Sequence, residues 1–232
     1  MLSIMLNRAL AVRFAPLIAV ILAAGPLAAQ ASVFGRVSVT DKGGRPGEDV
    51  GQSVVWLTGS RADAGRPVQS AMATEGKQFV PHLVVVPVGS TVAFPNHDGF
   101  KHNVFSLSPE GTFDLGLYGR GEGRTATFNS AGVIRVYCNV HAQMRGIVKV
   151  VPSALWTNPS ADGAFRISGV PPGEYTLHAW HERAAEEITQ TVVVPAGGDA
   201  SVVVILDARG FQQVQHKNKN GKTYNTDRSR RY

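Results

Sequence analysis

Val136-Tyr137-Cys138-Asn139-Val140-His141-Ala142-Gln143-Met144-Arg145-Gly146-Ile147 reads as a strand ending in a cysteine, a tight loop, and a return strand. Around it, from Val33 to Asp207, short β-rich runs are broken by Gly, Pro, Asn and Asp, with no sustained helical period. An all-β fold built of sandwiches follows. The runs that read as strands are 33–40, 53–57, 83–88, 91–95, 102–107, 125–128, 133–138 and 147–151. A second group covers 163–167, 173–181, 188–194 and 201–206.

A Pro/Ser/Asn-containing stretch at 152–162 divides these groups, so 75–151 reads as one unit and 152–207 as most of another. Residues 61–74 are polar, have no clear period, and read as a loop. Residues 208–232 carry +6 of the chain's net +6 charge, with few apolar residues, and read as a basic disordered tail. Residues 1–31 read as a cleavable export signal: Arg8 and Arg13 precede an apolar run over 14–24, and Ala29-Gln30-Ala31 offers the small-residue cleavage site. That run is shorter than the roughly 18 to 20 residues of a membrane span. Export from a bacterial cytoplasm places the expected location in the periplasm. Between the two positive ends, 32–207 balances at −2, which excludes the basic stripe of a nucleic-acid surface.

Cys138 is the one cysteine among 232 residues. It cannot make an internal disulfide, and a free thiol in an oxidising compartment is a liability unless something occupies it. Taken alone, Cys-x-x-His is a weak signal, because buried cysteine is a common small apolar residue and histidine often caps a strand end. Here a thiolate, an imidazole three residues on and a thioether three residues beyond that supply the ligand types suited to a copper ion cycling between two oxidation states. The second imidazole must come from elsewhere, and His102, at the start of a strand after the turn 96–101, is the candidate. Two nitrogens and a sulfur in a plane with a long, weak methionine bond suit both oxidation states. Haem attachment lacks its second cysteine, and zinc leaves Met144 unexplained.

Cys138-Asn-Val-His141-Ala-Gln-Met144, with Phe94-Pro-Asn-His-Asp-Gly-Phe-Lys-His102-Asn103-Val104 upstream, resembles the cupredoxin family and is similar to amicyanin in its short ligand loop. The chain also resembles periplasmic methylamine-utilisation or plastocyanin-like proteins. The resemblance implies a cupredoxin β-sandwich holding one mononuclear type 1 copper ion, with His102, Cys138 and His141 in the plane and Met144 axial. It also implies that Asn103 hydrogen-bonds across to the cysteine loop. The function to expect is one-electron transfer with an unidentified periplasmic redox partner, through His141 and an apolar rim of Val140, Ala142 and Met144. The alternative is a copper carrier or sensor without electron transfer. Copper enzymes of this kind add a second centre, commonly with histidines flanking the cysteine, whereas Tyr137 and Asn139 flank Cys138; a non-enzyme is expected.

In the second unit, Asp162-Gly163-Ala164-Phe165 and Val170-Pro171-Pro172-Gly173-Glu174-Tyr175 resemble a transthyretin-like or carboxypeptidase-regulatory sandwich. That family's opening strands are missing there, but a Gly-x-Val run and a Val-Val-x-Leu run occur within 35–57. Two assignments stay open: residues 33–60 complete the C-terminal sandwich, with the cupredoxin inserted between its halves, or 33–40 is the first cupredoxin strand. His97 reads as an exposed turn residue, and His82 has no evident partner. His178 and His181 lie three apart on one strand and point to opposite faces, which argues against a shared metal. The basic tail suits an acidic partner or an anionic membrane surface.

Overall fold

The computed structural model describes residues 31–121 and 123–224. Most of the export signal, residues 1–30, and the last eight residues of the tail lie outside the described residues. Among the described residues no helix is long and apolar enough to cross a membrane.

The chain opens with β1 (Ala31–Thr40) and β2 (Val54–Thr58). Ten strands follow: β3 (Gln69–Ala71), β4 (Ala73–Glu75), β5 (Gln78–Val80), β6 (Leu83–Pro87), β7 (Ser90–Pro95), β8 (His102–Ser106), β9 (Phe113–Tyr118), β10 (Gly123–Phe128), β11 (Gly132–Cys138) and β12 (Arg145–Val151). It closes with β13 (Trp156–Thr157), β14 (Ala164–Val170), β15 (Gly173–Trp180), β16 (Ile188–Val194) and β17 (Ala200–Asp207).

Strand pairing decides between the two assignments of the opening strands. β1 lies between β14, antiparallel, and β17, parallel, while β2 lies between β13 and β15, with Leu57 opposite Leu177. Neither pairs with the Cys138 strand, which sits in the order β6-β12-β11-β8-β9. The outer sandwich is thus split in sequence, and the strands from β3 to β12 form a second sandwich inserted between its halves. The outer core buries alternate residues of each strand, among them Val33, Val37, Leu57, Tyr175, Leu177, Val204 and Leu206. Each such side chain contributes about 1.5–3 kcal/mol of hydrophobic stabilisation.

The inserted unit packs its five-stranded sheet against β10-β7-β3 over Phe94, Val104, Tyr118, Phe128, Ile134, Val136 and Val148. It begins earlier than position 75, because β3 pairs in parallel with β7, Gln69 opposite Thr91. Residues 61–74 are therefore not wholly a loop. Three residues with a polar start show no alternation, and their strand character comes from the partner. β9 was hidden for another reason: Asp114 and Gly116 interrupt its apolar pattern, and Gly116 takes φ +69°.

The two sandwiches meet over Val54, Trp56 and Val151, with Leu83, Val85, Trp156 and Trp180 packed around them. Lys149 is buried in this junction, its Nζ 4.3 Å from the Trp56 ring centre and 3.5 Å from Glu187. His82 finds its partner across the units, with Nε2 2.6 Å from Glu182.

Candidate metal centre

Alternation along β11 buries Ile134, Val136 and Cys138 on one face, so the thiol points into the core. Cys138 pairs with Val104 of β8, two residues from His102, whose ring is fully buried. Past Cys138 the chain turns through His141 and returns as β12, with Met144 N–H donating to His141 O at 3.1 Å. The return passes Gly146, where a Cβ would lie 2.9 Å from Met72 Sδ and 3.0 Å from Phe79 Cβ. Only glycine lets β12 approach this closely.

The result brings together three of the four expected ligands. Cys138 Sγ lies 3.6 Å from His102 Nδ1 and 3.7 Å from His141 Nδ1, and all three donor atoms fall within 4.8 Å of one another. Three donors around one ion at about 2.0–2.3 Å in a trigonal plane would stand about 3.7 Å apart. The donor set therefore fits a metal. Met144 is 1% exposed and shares a core cluster with Cys138. It does not belong to the exposed apolar rim expected around His141, because its side chain turns into the core. The rim is instead Val140 and Phe100, each 41% exposed, with the Phe100 ring 5.4 Å from His141 and 5.2 Å from His102.

Burial dominates the electrostatics of these side chains. Burial pushes the Cys138 thiol up, while the main-chain amides of Asn103, Val140 and His141 act in the opposite direction; Val140 N–H is 3.4 Å from the sulfur. Burial, with the nearby His102 and Lys77, pushes His141 down to about 4. Its imidazole is neutral at pH 7 and offers a lone pair.

His102 is oriented by a carboxylate that the sequence reading did not single out. Its Nε2 donates to Asp98 Oδ2 at 2.8 Å, which leaves Nδ1 to face the sulfur. Burial of Asp98 acts against ionisation, but the amides of Lys77 and Gly76 and the His102 contact hold its carboxyl below the usual range. The turn carrying it is braced by fully buried Asn96, which accepts from Thr74 Oγ1 and from Asp98 N–H and donates to Phe100 O.

Asn103 reaches the cysteine loop through its main chain. Its main-chain oxygen accepts from Asn139 N–H at 2.9 Å, joining the two ligand-bearing strands. Its side-chain amide points the other way, to Asp114 Oδ1 at 2.5 Å, because Asn103 faces the side of β8 opposite His102. His97 is 55% exposed and 3.8 Å from Glu75, outside the cluster. His178 stacks on Trp56 and pairs with Glu187, whereas His181 is buried near Asp49.

The described part of the tail corrects the expectation of a disordered extension. Ala208 is buried and donates to Thr40 O, and the chain then crosses to the ligand loop. Tyr224 Oη donates to Cys138 O at 2.6 Å, and Lys219 N–H donates to Asn139 Oδ1 at 3.0 Å. The composition concealed this, since the anchors are two rings and main-chain hydrogen bonds rather than an apolar run.

Fold and site thus define a β-sandwich with one thiol and two imidazoles at a single end. Residues 68–151 match the family model of copper binding proteins of the plastocyanin/azurin family. The inserted unit is a cupredoxin-type domain, and the metal its donor set implies is copper. Residues 154–202 match domain II of polysaccharide lyase family 4, a different family from the one the second unit resembles in sequence, and in keeping with an additional β domain there. No curated protein matches the chain. Among solved structures it is similar to amicyanin from Paracoccus versutus, with 24% identity over 42% of this chain and 97% of that one, TM-score 0.33. A purple cupredoxin from Nitrosopumilus maritimus aligns at 24% identity over 35% of this chain and 99% of that one, TM-score 0.32. A copper-containing nitrite reductase from Thermus scotoductus aligns at 28% identity over 40% of this chain and 25% of that one, TM-score 0.34.

Proposed function

We propose that the protein is a non-catalytic, periplasmic one-electron carrier with a single type 1 copper site. His102, Cys138 and His141 would hold the ion, with Met144 as the candidate fourth ligand. Copper, when bound, supplies a one-electron couple. The observation that carries the reading is the assembly of three donor atoms within 4.8 Å of one another, with the sulfur 3.6 and 3.7 Å from the two ring nitrogens, in a braced, largely buried site.

The chain's own residues then do three things. Asp98 and the Asn96 turn fix the His102 ring, so that this ligand need not move between oxidation states. The core around Cys138 and Met144 excludes water from the sulfur side. His141, half-buried beside exposed Phe100 and Val140, offers the partner an edge for electron passage. Lys77, whose Nζ lies 5.3 Å over the Phe100 ring, suits a partner with an acidic face. Tyr137 and Asn139 beside Cys138 leave no neighbouring histidine for a second, catalytic centre.

A redox titration tests this. The copper-loaded protein is expected to give one reversible one-electron wave and to keep its metal through repeated cycles. Release of the metal to a chelator on each reduction would contradict electron transfer and favour copper carriage.

A further inference from the structure

We propose that the C-terminal segment 209–224 is a strap that holds the ligand loop in its metal-binding shape, with His216, Lys219 and Tyr224 as positioning residues. This rests on reading 138–144 as a metal-ligand loop.

Within itself the loop has few ties. Cys138 N–H to Met144 O is long at 3.4 Å, and Met144 N–H to His141 O is 3.1 Å. The strap adds contacts along most of its length. The Tyr224 hydroxyl holds the Cys138 carbonyl at 2.6 Å, and the Lys219 amide holds the Asn139 side chain at 3.0 Å. The His216 ring stacks 4.2 Å from Tyr137 with an 18° interplanar angle, and its Nδ1 lies 3.3 Å from the Tyr224 hydroxyl. Lys219 Nζ reaches Asp114 at 2.6 Å, and Asp114 in turn takes the Asn103 side chain, so the strap ties the Cys138 strand to the strand bearing His102.

Tyr137 is the inner anchor because strand alternation turns it to the face opposite Cys138. The strap is itself organised by a turn. Asn218 N–H donates to Lys222 O at 2.8 Å and its side chain accepts from Lys222 N–H at 3.0 Å, with Gly221 at φ +73°. This turn brings Tyr224 back onto His216, ring centres 5.1 Å apart. Phe100 and Val140 stay 41% exposed beside the strapped loop. A segment that orders the loop before metal arrives removes an entropic cost from binding.

Amide hydrogen exchange on the full-length, metal-free protein tests the strap without relying on copper. In Tyr224→Phe, amides of 139–144 are expected to exchange about fivefold faster, the factor of one typical net hydrogen bond. Adding His216→Ala is expected to raise this further, whereas His216→Phe, which keeps a stacking ring, keeps protection near that of the unmutated chain. Amides of β1 and β17 serve as the control and should not change. The copper-loaded Tyr224→Phe protein is expected to have a shifted reduction potential, because the hydrogen bond next to the Cys138 ligand is gone. Unchanged exchange in the loop of the double variant would overturn the strap, even if the unmutated protein binds copper. Failure of the unmutated protein to bind copper would defeat the metal reading, while faster loop exchange in the variants would still support the strap.

Discussion

The split outer sandwich and the inserted one use the same alternating strands, yet they spend their buried polar groups differently. In the outer sandwich the core is a continuous set of Val, Leu, Ile, Phe, Tyr and Ala side chains, and the buried polar residues Ser32, Ser53 and His181 are scattered around it, with His181 near Asp49. In the inserted sandwich Thr74, Asn96, His102 and Asn103 are all buried, and each has a hydrogen-bond partner. Burying a polar group without a partner costs about 1–3 kcal/mol in protein interiors, so such a network persists only where every member is satisfied. Its concentration at one end of one sandwich marks that end as the working part. The other sandwich is left as a stable frame whose two halves clamp the inserted unit through Trp56 and its neighbours.

If that division is right, damage to the frame and damage to the site must separate. The largest effect is expected for Leu57→Ala in the fully buried outer core: a loss of about 2–5 kcal/mol in denaturant unfolding. The copper spectrum of the still-folded fraction should not change. Altered copper absorption in that fraction would break the comparison. Asp98→Asn reverses the pattern, with copper affinity in a competition titration expected to fall about 10- to 100-fold. Its unfolding midpoint should move far less than that of Leu57→Ala.

At the junction, Glu187→Gln removes the carboxylate facing buried Lys149 and His178. Because Glu187 is one-third exposed, the expected cost is only about 1 kcal/mol, and copper binding should not respond. The smallest effect is on pH dependence without metal. His141 in the folded chain sits at about 4, below the ordinary 6.5, so the unfolded chain binds more protons between these values. Stability should be fully present above pH 6.5 and fall as pH drops toward 4. His181, also lowered by burial, adds in the same direction from the outer sandwich. His141→Gln should flatten part of the decline and leave the His181 part.

The ligand loop was legible in the sequence because its chemistry is local: Cys138, His141 and Met144 lie within seven residues. Strands with clean alternation, such as β11 and β17, were legible for the same reason. The placement of β1 and β2 stayed open because strand pairing is non-local, and Gly35 and Leu57 find their neighbours more than a hundred residues away. Asp98 is masked within a polar turn, and its signal is a carboxylate four residues before His102. The charge of the tail hides its docking, whose signal is His216 and Tyr224 on either side of Asn218-Lys219-Asn220-Gly221.

The central claim is that one thiolate and two imidazoles converge on a copper ion. Adding copper(II) to the mature protein should produce an intense visible thiolate-to-copper absorption with one copper per chain, and Cys138→Ser should abolish it while leaving the fold intact. A colourless unmutated protein, or colour that survives in Cys138→Ser, would contradict the account.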